Sequence, residues 1–123
     1  MTPIARFKDL CLDATDHQAL ADWWCAVMGY RRWAELHPDP STRPREDPVL
    51  IVDPTGTAPA IWIVPVPEPK AVKNRMHLDV VGDTDALVAA GATLLRRRGD
   101  DIAWDVLADP EGNEFCCFRP TAA

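Results

Sequence analysis

The chain has 123 residues, 47% hydrophobic and 26% charged, which is enough for one domain with a packed core and rules against a disordered chain. Its formal net charge of −6, from 13 basic and 19 acidic residues, argues against a nucleic-acid partner, because phosphate binding rests on clustered Lys and Arg. No apolar run approaches the roughly 18 to 20 residues of a membrane span, so no membrane partner is expected.

The opening MTPIARFKDLCLD reaches Lys8 and Asp9 before any long apolar stretch, which points to the cytoplasm. In that setting Cys11, Cys25, Cys116 and Cys117, which show no CxxC spacing, are expected to be thiols. FKDLCLDA (7–14) alternates as a strand, with Leu10 and Leu12 on one face and Asp9, Cys11 and Asp13 on the other. TDHQALADWWCAVMG (15–29) reads as a helix with a Thr15/Gln18 capping box. Its apolar stripe runs through Leu20, Trp23, Trp24, Val27 and Met28, and Gly29 is its left-handed stop.

YRRWAEL (30–36) reads as a strand and HPDPSTRPRED (37–47), with its three prolines, as a loop. This loop is either a lid or, the preferred reading, a surface connection. PVLIVD (48–53) and AIWIVPV (60–66) are two further strands, and the proline-rich PVPEPK is a linker. NRMHLDVV (74–81) is again a strand, DTDALVAAG (83–91) a short helix capped by Asp83 and stopped by Gly91, and TLLRRR (93–98), IAWDVLAD (102–109) and EFCCF (114–118) are strands around the turn DPEGN.

The order β-α-β-β-β thus occurs twice. LD at 12–13 matches LD at 78–79, and DPTG at 53–56 matches DPEG at 109–112, in the same order within each half. The expected fold is α+β: a single domain over 1–123 in which two βαβββ modules, 7–66 and 73–118, pair their helix-free faces around a shared cleft. Pairing within one chain and exchange between two are both open, and a homodimer is expected.

Alternation turns His77, Asp79 and Val81 toward the cleft, together with Glu114, Cys116 and Phe118 from the last strand. By the LD register, Cys11 takes the place of His77. Trp62 and Trp104 are candidate stacking surfaces for a planar ligand, and Asp9, Asp13 and Phe118 complete the candidate ligand-binding set. His77 has the residue type of a general base, with Asp79 two residues on to orient or charge-stabilise it. An activated Cys116 thiol is the alternative.

The paired modules, KNRMHLD opening the second half and DPEGNEF leading into the last strand resemble the vicinal oxygen chelate superfamily, in particular its small glyoxalase-like domains related to bleomycin-resistance proteins. The resemblance runs from about Phe7 to Phe118. It implies ligands for a divalent ion (zinc, nickel, iron or manganese) on the first and fourth strands of each half, here Cys11, Trp62, His77 and Cys116. Only His77 keeps the usual type. Cys116 stands where Glu is expected, and Trp62 cannot coordinate.

Cys11, His77 and Cys116 would form a soft zinc triad, while Asp9, Asp13, Asp79 or Glu114 could hold an ion in a shifted register. The preferred expectation is that no metal binds. The resemblance therefore implies a small-molecule partner and two functions. One is a metal-dependent lyase or dioxygenase-type enzyme, slightly favoured. The other is a non-catalytic sequestering protein that holds an aromatic or cationic ligand.

Overall fold

The computed structural model describes residues 2–39 and 48–120, so most of the loop expected to be a lid or surface connection lies outside the described residues. The chain divides into two compact units, Met1–Pro67 and Glu68–Ala123, with the division inside PVPEPK.

The first unit contains β1 (Leu10–Ala14), α1 (His17–Met28), β2 (Arg31–Arg32), α2 (Trp33–Leu36), β3 (Val49–Val52) and β4 (Ile61–Pro65). The second contains β5 (Leu78–Val81), α3 (Thr84–Ala89), β6 (Thr93–Arg96), β7 (Asp105–Ala108) and β8 (Glu114–Phe118). Each unit forms one four-stranded sheet, in the orders β1-β4-β3-β2 and β5-β8-β7-β6. In both, the first strand pairs parallel to the fourth and the other neighbours are antiparallel. The result is an α+β fold built from two similar modules.

Strand alternation separates a helix-covered face from a helix-free one. Ile51, Ile61 and Ile63 are buried in the first sheet, together with Leu20 and Trp24 of α1. The second sheet buries Leu107, Phe115 and Cys117 on the corresponding face, along with Leu87 of α3. The DP-x-G turns are built alike. The Asp53 carboxylate accepts the Thr55 N–H, and the Asp109 carboxylate accepts the N–H groups of Glu111 and Asn113. Gly56 and Gly112 follow at φ 77° and 88°, where a side chain would be strained.

Two local expectations change. The α1 cap is Asp16, whose Oδ1 accepts the Ala19 N–H at 3.1 Å, rather than Thr15. Gln18 is instead drawn outward by Arg32, whose Nη1 donates to Gln18 Oε1 at 2.8 Å. The strand expected over 30–36 ends at Arg32, because WAEL closes a helical turn. Trp33 stacks on His37 with ring centroids 4.2 Å apart, and Arg31 pairs with Glu35, both at i,i+4 spacing. At the other end of α1, Gly29 caps as expected at φ 72°, and Asp83 caps α3 by accepting the Ala86 N–H.

The ladders also revise the correspondence between modules. Ile51 and Leu107 each lie two residues before the turn aspartate; they pair with Ile61 and Phe115, which in turn pair with Leu10 and Leu78. Leu10 therefore matches Leu78, and Asp9, rather than Cys11, takes the place in its sheet that His77 takes in the second. The LD match is offset by two residues, which preserves the face of every side chain.

Candidate functional site

The second sheet gathers chemistry on its helix-free face. His77 sits one residue before β5, Asp79 lies two positions on with its side chain on the same face, and Cys116 of β8 is the register partner of Asp79. One donor atom from each of the three lies within 4.8 Å of the others. His77 Nδ1 is 3.2 Å from Asp79 Oδ1, with the two side chains 38% and 57% exposed. The imidazole is therefore not buried beneath α3, and an Nδ1–H held by Asp79 presents Nε2 as the acceptor.

Cys116 is buried. Burial, then the charge of Asp79 and a hydrogen bond to it, push the thiol pKa above its ordinary value. That environment keeps the sulfur protonated and disfavours an activated nucleophile unless a cation takes the place of the proton. Asp79 is thus the common neighbour of both partners.

Glu114 lies one pleat away on the same face, with a different task. Burial alone would raise its pKa, but the Asn74 N–H at 3.0 Å and Lys70 Nζ at 2.9 Å outweigh that and hold it at about 2. Asn74 also donates from its side chain to Asn113 Oδ1. These bonds fasten the segment before His77 to the start of β8. Glu and Lys at this separation carry no local sequence signal, and this anchor is not visible in the sequence pattern. At the far end of the face, Trp104 and Phe118 form a tilted aromatic pair with centroids 5.5 Å apart and planes at 33°.

In the first sheet, Trp62 Nε1–H donates to Asp9 Oδ2 at 3.0 Å, and Lys8 Nζ lies 2.7 Å from the same oxygen. The Lys8 hydrogen bond leads in holding the Asp9 pKa below its ordinary value, opposed by desolvation and aided by Trp62. Cys11 is exposed and pairs in register with Trp62, while Asp13 is exposed and pairs with Val64. The expected ligand set Cys11, His77 and Cys116 thus spans two units, whereas His77, Asp79 and Cys116 meet within one.

The donor chemistry of this cluster fits a divalent metal of the kind the resemblance implies: one imidazole nitrogen, one carboxylate oxygen and one sulfur. Bonds of about 2.0–2.3 Å to a tetrahedral ion set donors about 3.3–3.8 Å apart, so the side chains need to close by roughly an ångström. His77 and Asp79, both exposed, have that freedom. When bound, such an ion would supply Lewis acidity toward a ligand oxygen.

Comparison with known proteins agrees with this architecture. A search of curated proteins finds no match. Among solved structures, a glyoxalase/bleomycin resistance protein/dioxygenase family enzyme from Burkholderia phytofirmans PsJN is similar at 21% identity and TM-score 0.65, over 94% of this chain and 98% of that one. A glyoxalase/bleomycin resistance protein from Albidiferax ferrireducens T118 is similar at 18% identity and TM-score 0.56, over 95% and 100%. An antibiotic-binding protein from Streptomyces sp. CB03234 is similar at 16% identity and TM-score 0.57, over 97% and 100%. These identities establish the fold alone. The model of the glyoxalase-like domain matches residues 9–118, nearly the whole chain, and with the doubled βαβββ architecture it follows that this protein belongs to the glyoxalase-like domain family.

Proposed function

We propose that the protein binds a small molecule against the helix-free face of its second sheet and acts on it as a lyase or dioxygenase-type enzyme. The observation that carries this reading is the His77–Asp79 contact of 3.2 Å beside Cys116. Asp79 orients the imidazole, His77 accepts a proton or, together with Asp79 and Cys116, would hold a metal ion, and Trp104 with Phe118 offers an apolar wall for the rest of the ligand. Metal analysis of protein purified without chelator tests it. Near-stoichiometric zinc, nickel, iron or manganese, lost in His77→Ala, supports the reading; metal-free protein argues against it.

The second reading is a sequestering protein without catalysis. It is favoured by Trp62, which holds in the first sheet the place of Cys116 and commits its N–H to Asp9. The antibiotic-binding relative supports it at the level of the fold. Metal-free protein whose tryptophan fluorescence is quenched by an aromatic glycopeptide antibiotic would establish this reading over the first. Both readings set the protein in the cytoplasm as a homodimer, a setting in keeping with four free cysteines.

A further inference from the structure

We infer that the second sheet carries, by itself, a complete three-ligand site for a thiophilic divalent ion, formed by His77, Asp79 and Cys116. This rests on the metal-binding part of the reading above and narrows it in two respects.

The first is completeness. Strand geometry places residues i and i+2 on one face, so His77 and Asp79 point the same way from β5. The parallel ladder sets Cys116 opposite Asp79. All three donors lie within 4.8 Å of one another and within one compact unit. The equivalent places in the first sheet are held by Asp9, Cys11 and Trp62, and Asp9 is already bonded to Lys8 and to the Trp62 indole.

The second is selectivity. A hard ion such as magnesium or manganese gains little from sulfur and prefers oxygen, whereas zinc or cadmium binds thiolate and imidazole strongly. Glu114, the largely buried carboxylate next along the same face, is committed to Lys70 and Asn74. The cluster therefore offers one carboxylate against one nitrogen and one sulfur. Binding exchanges the Cys116 proton for the ion: the S–H bond breaks, the proton leaves to solvent, and the sulfur lone pair forms the metal bond.

The test is titration of chelator-treated protein with cadmium, followed by the thiolate-to-metal charge-transfer absorption in the ultraviolet. It is done in a Cys11→Ala background, because an exposed thiol can bind cadmium unspecifically. One ion per chain is expected, with the absorption retained in Cys11→Ala and abolished in Cys116→Ser. Affinity should fall about tenfold or more in His77→Ala and in Asp79→Asn. Zinc in excess should displace cadmium, whereas magnesium and manganese should not.

Loss of the absorption in Cys11→Ala, or its persistence in Cys116→Ser, overturns the inference, as does displacement by manganese. Should Cys116→Ser fail to fold, zinc protection of Cys116 against iodoacetamide in the wild-type chain, read by peptide mass, serves instead; no protection overturns it. An ion bound with manganese-like preference would refute the inference and leave the functional reading intact. Absence of any bound ion removes both.

Discussion

Asp105 provides the sharpest quantitative test of the second module. It is 1% exposed, and its carboxylate accepts hydrogen bonds from the Arg98 backbone N–H at 2.7 Å, from Arg98 Nε and Nη2 at 3.2 and 2.6 Å, and from Thr84 Oγ1. It thereby ties β7 to the start of α3 and to the chain leaving β6. Asp105→Asn keeps the shape but removes the charge and one acceptor, leaving a guanidinium that is 22% exposed beside a neutral amide. Removing one member of a buried pair costs about 3–5 kcal/mol, and the partial exposure of Arg98 lowers this to about 2–4 kcal/mol. For a chain of this length that is a fall in melting temperature of about 10 °C.

Urea unfolding followed by tryptophan fluorescence reads the loss, and Asp105→Asn with Arg98→Met should recover part of it by removing the stranded cation. The hydrogen bonds from Arg98 lead in holding the Asp105 pKa below its ordinary 3.8, against desolvation and with help from Thr84. A depressed carboxylate stabilises the fold above its unfolded pKa, so this contribution is present at neutral pH. It fades as acidification passes below about 4, and the variant should show a shallower acid dependence there. A cost below about 0.5 kcal/mol, with an unchanged acid profile, would refute this reasoning.

Glu114→Gln should destabilise by about 2–3 kcal/mol in urea melts, because it leaves the largely buried Lys70 ammonium without its counter-charge. Since Glu114 is held at about 2, below its ordinary 4.5, its contribution is lost between those two values as pH falls, and the variant should lack that part of the acid transition. Gly112→Ala should cost about 1–2 kcal/mol by the same melts. The added methyl meets nothing closer than Lys70 Cδ at 3.9 Å, so the cost comes from the backbone φ of 88° alone.

Much of the architecture is legible in the sequence because short-range chemistry dictates it. Alternation assigns Cys116 and Cys117 to opposite faces, and Asp83, Gly29 and the two DP-x-G turns act through bonds to residues within a few positions. What escapes is set by tertiary partners. Asp105 interrupts an apolar run in IAWDVLAD, and nothing local says that Arg98 and Thr84 will receive it. WAEL leaves the sheet because of its own i,i+4 contacts.

The correspondence of Cys11 with His77 fails for a simpler reason. Asp16 lies six positions after Leu10, whereas Asp83 lies five after Leu78. The repeat thus carries an extra residue before its first helix, and a dipeptide match cannot fix a register that the hydrogen-bonded ladder decides. Of the candidate site, the common face of His77, Asp79 and Cys116 is readable in advance. Their convergence in one unit depends on the β5–β8 register, which sequence spacing does not reveal.

The most direct test of the account is a crystal structure of the wild-type protein grown with zinc, with anomalous scattering recorded on both sides of the zinc absorption edge. The account predicts one strong peak bonded to a His77 nitrogen, an Asp79 oxygen and the Cys116 sulfur. A peak that avoids these three side chains, or no peak at all at saturating zinc, would contradict it.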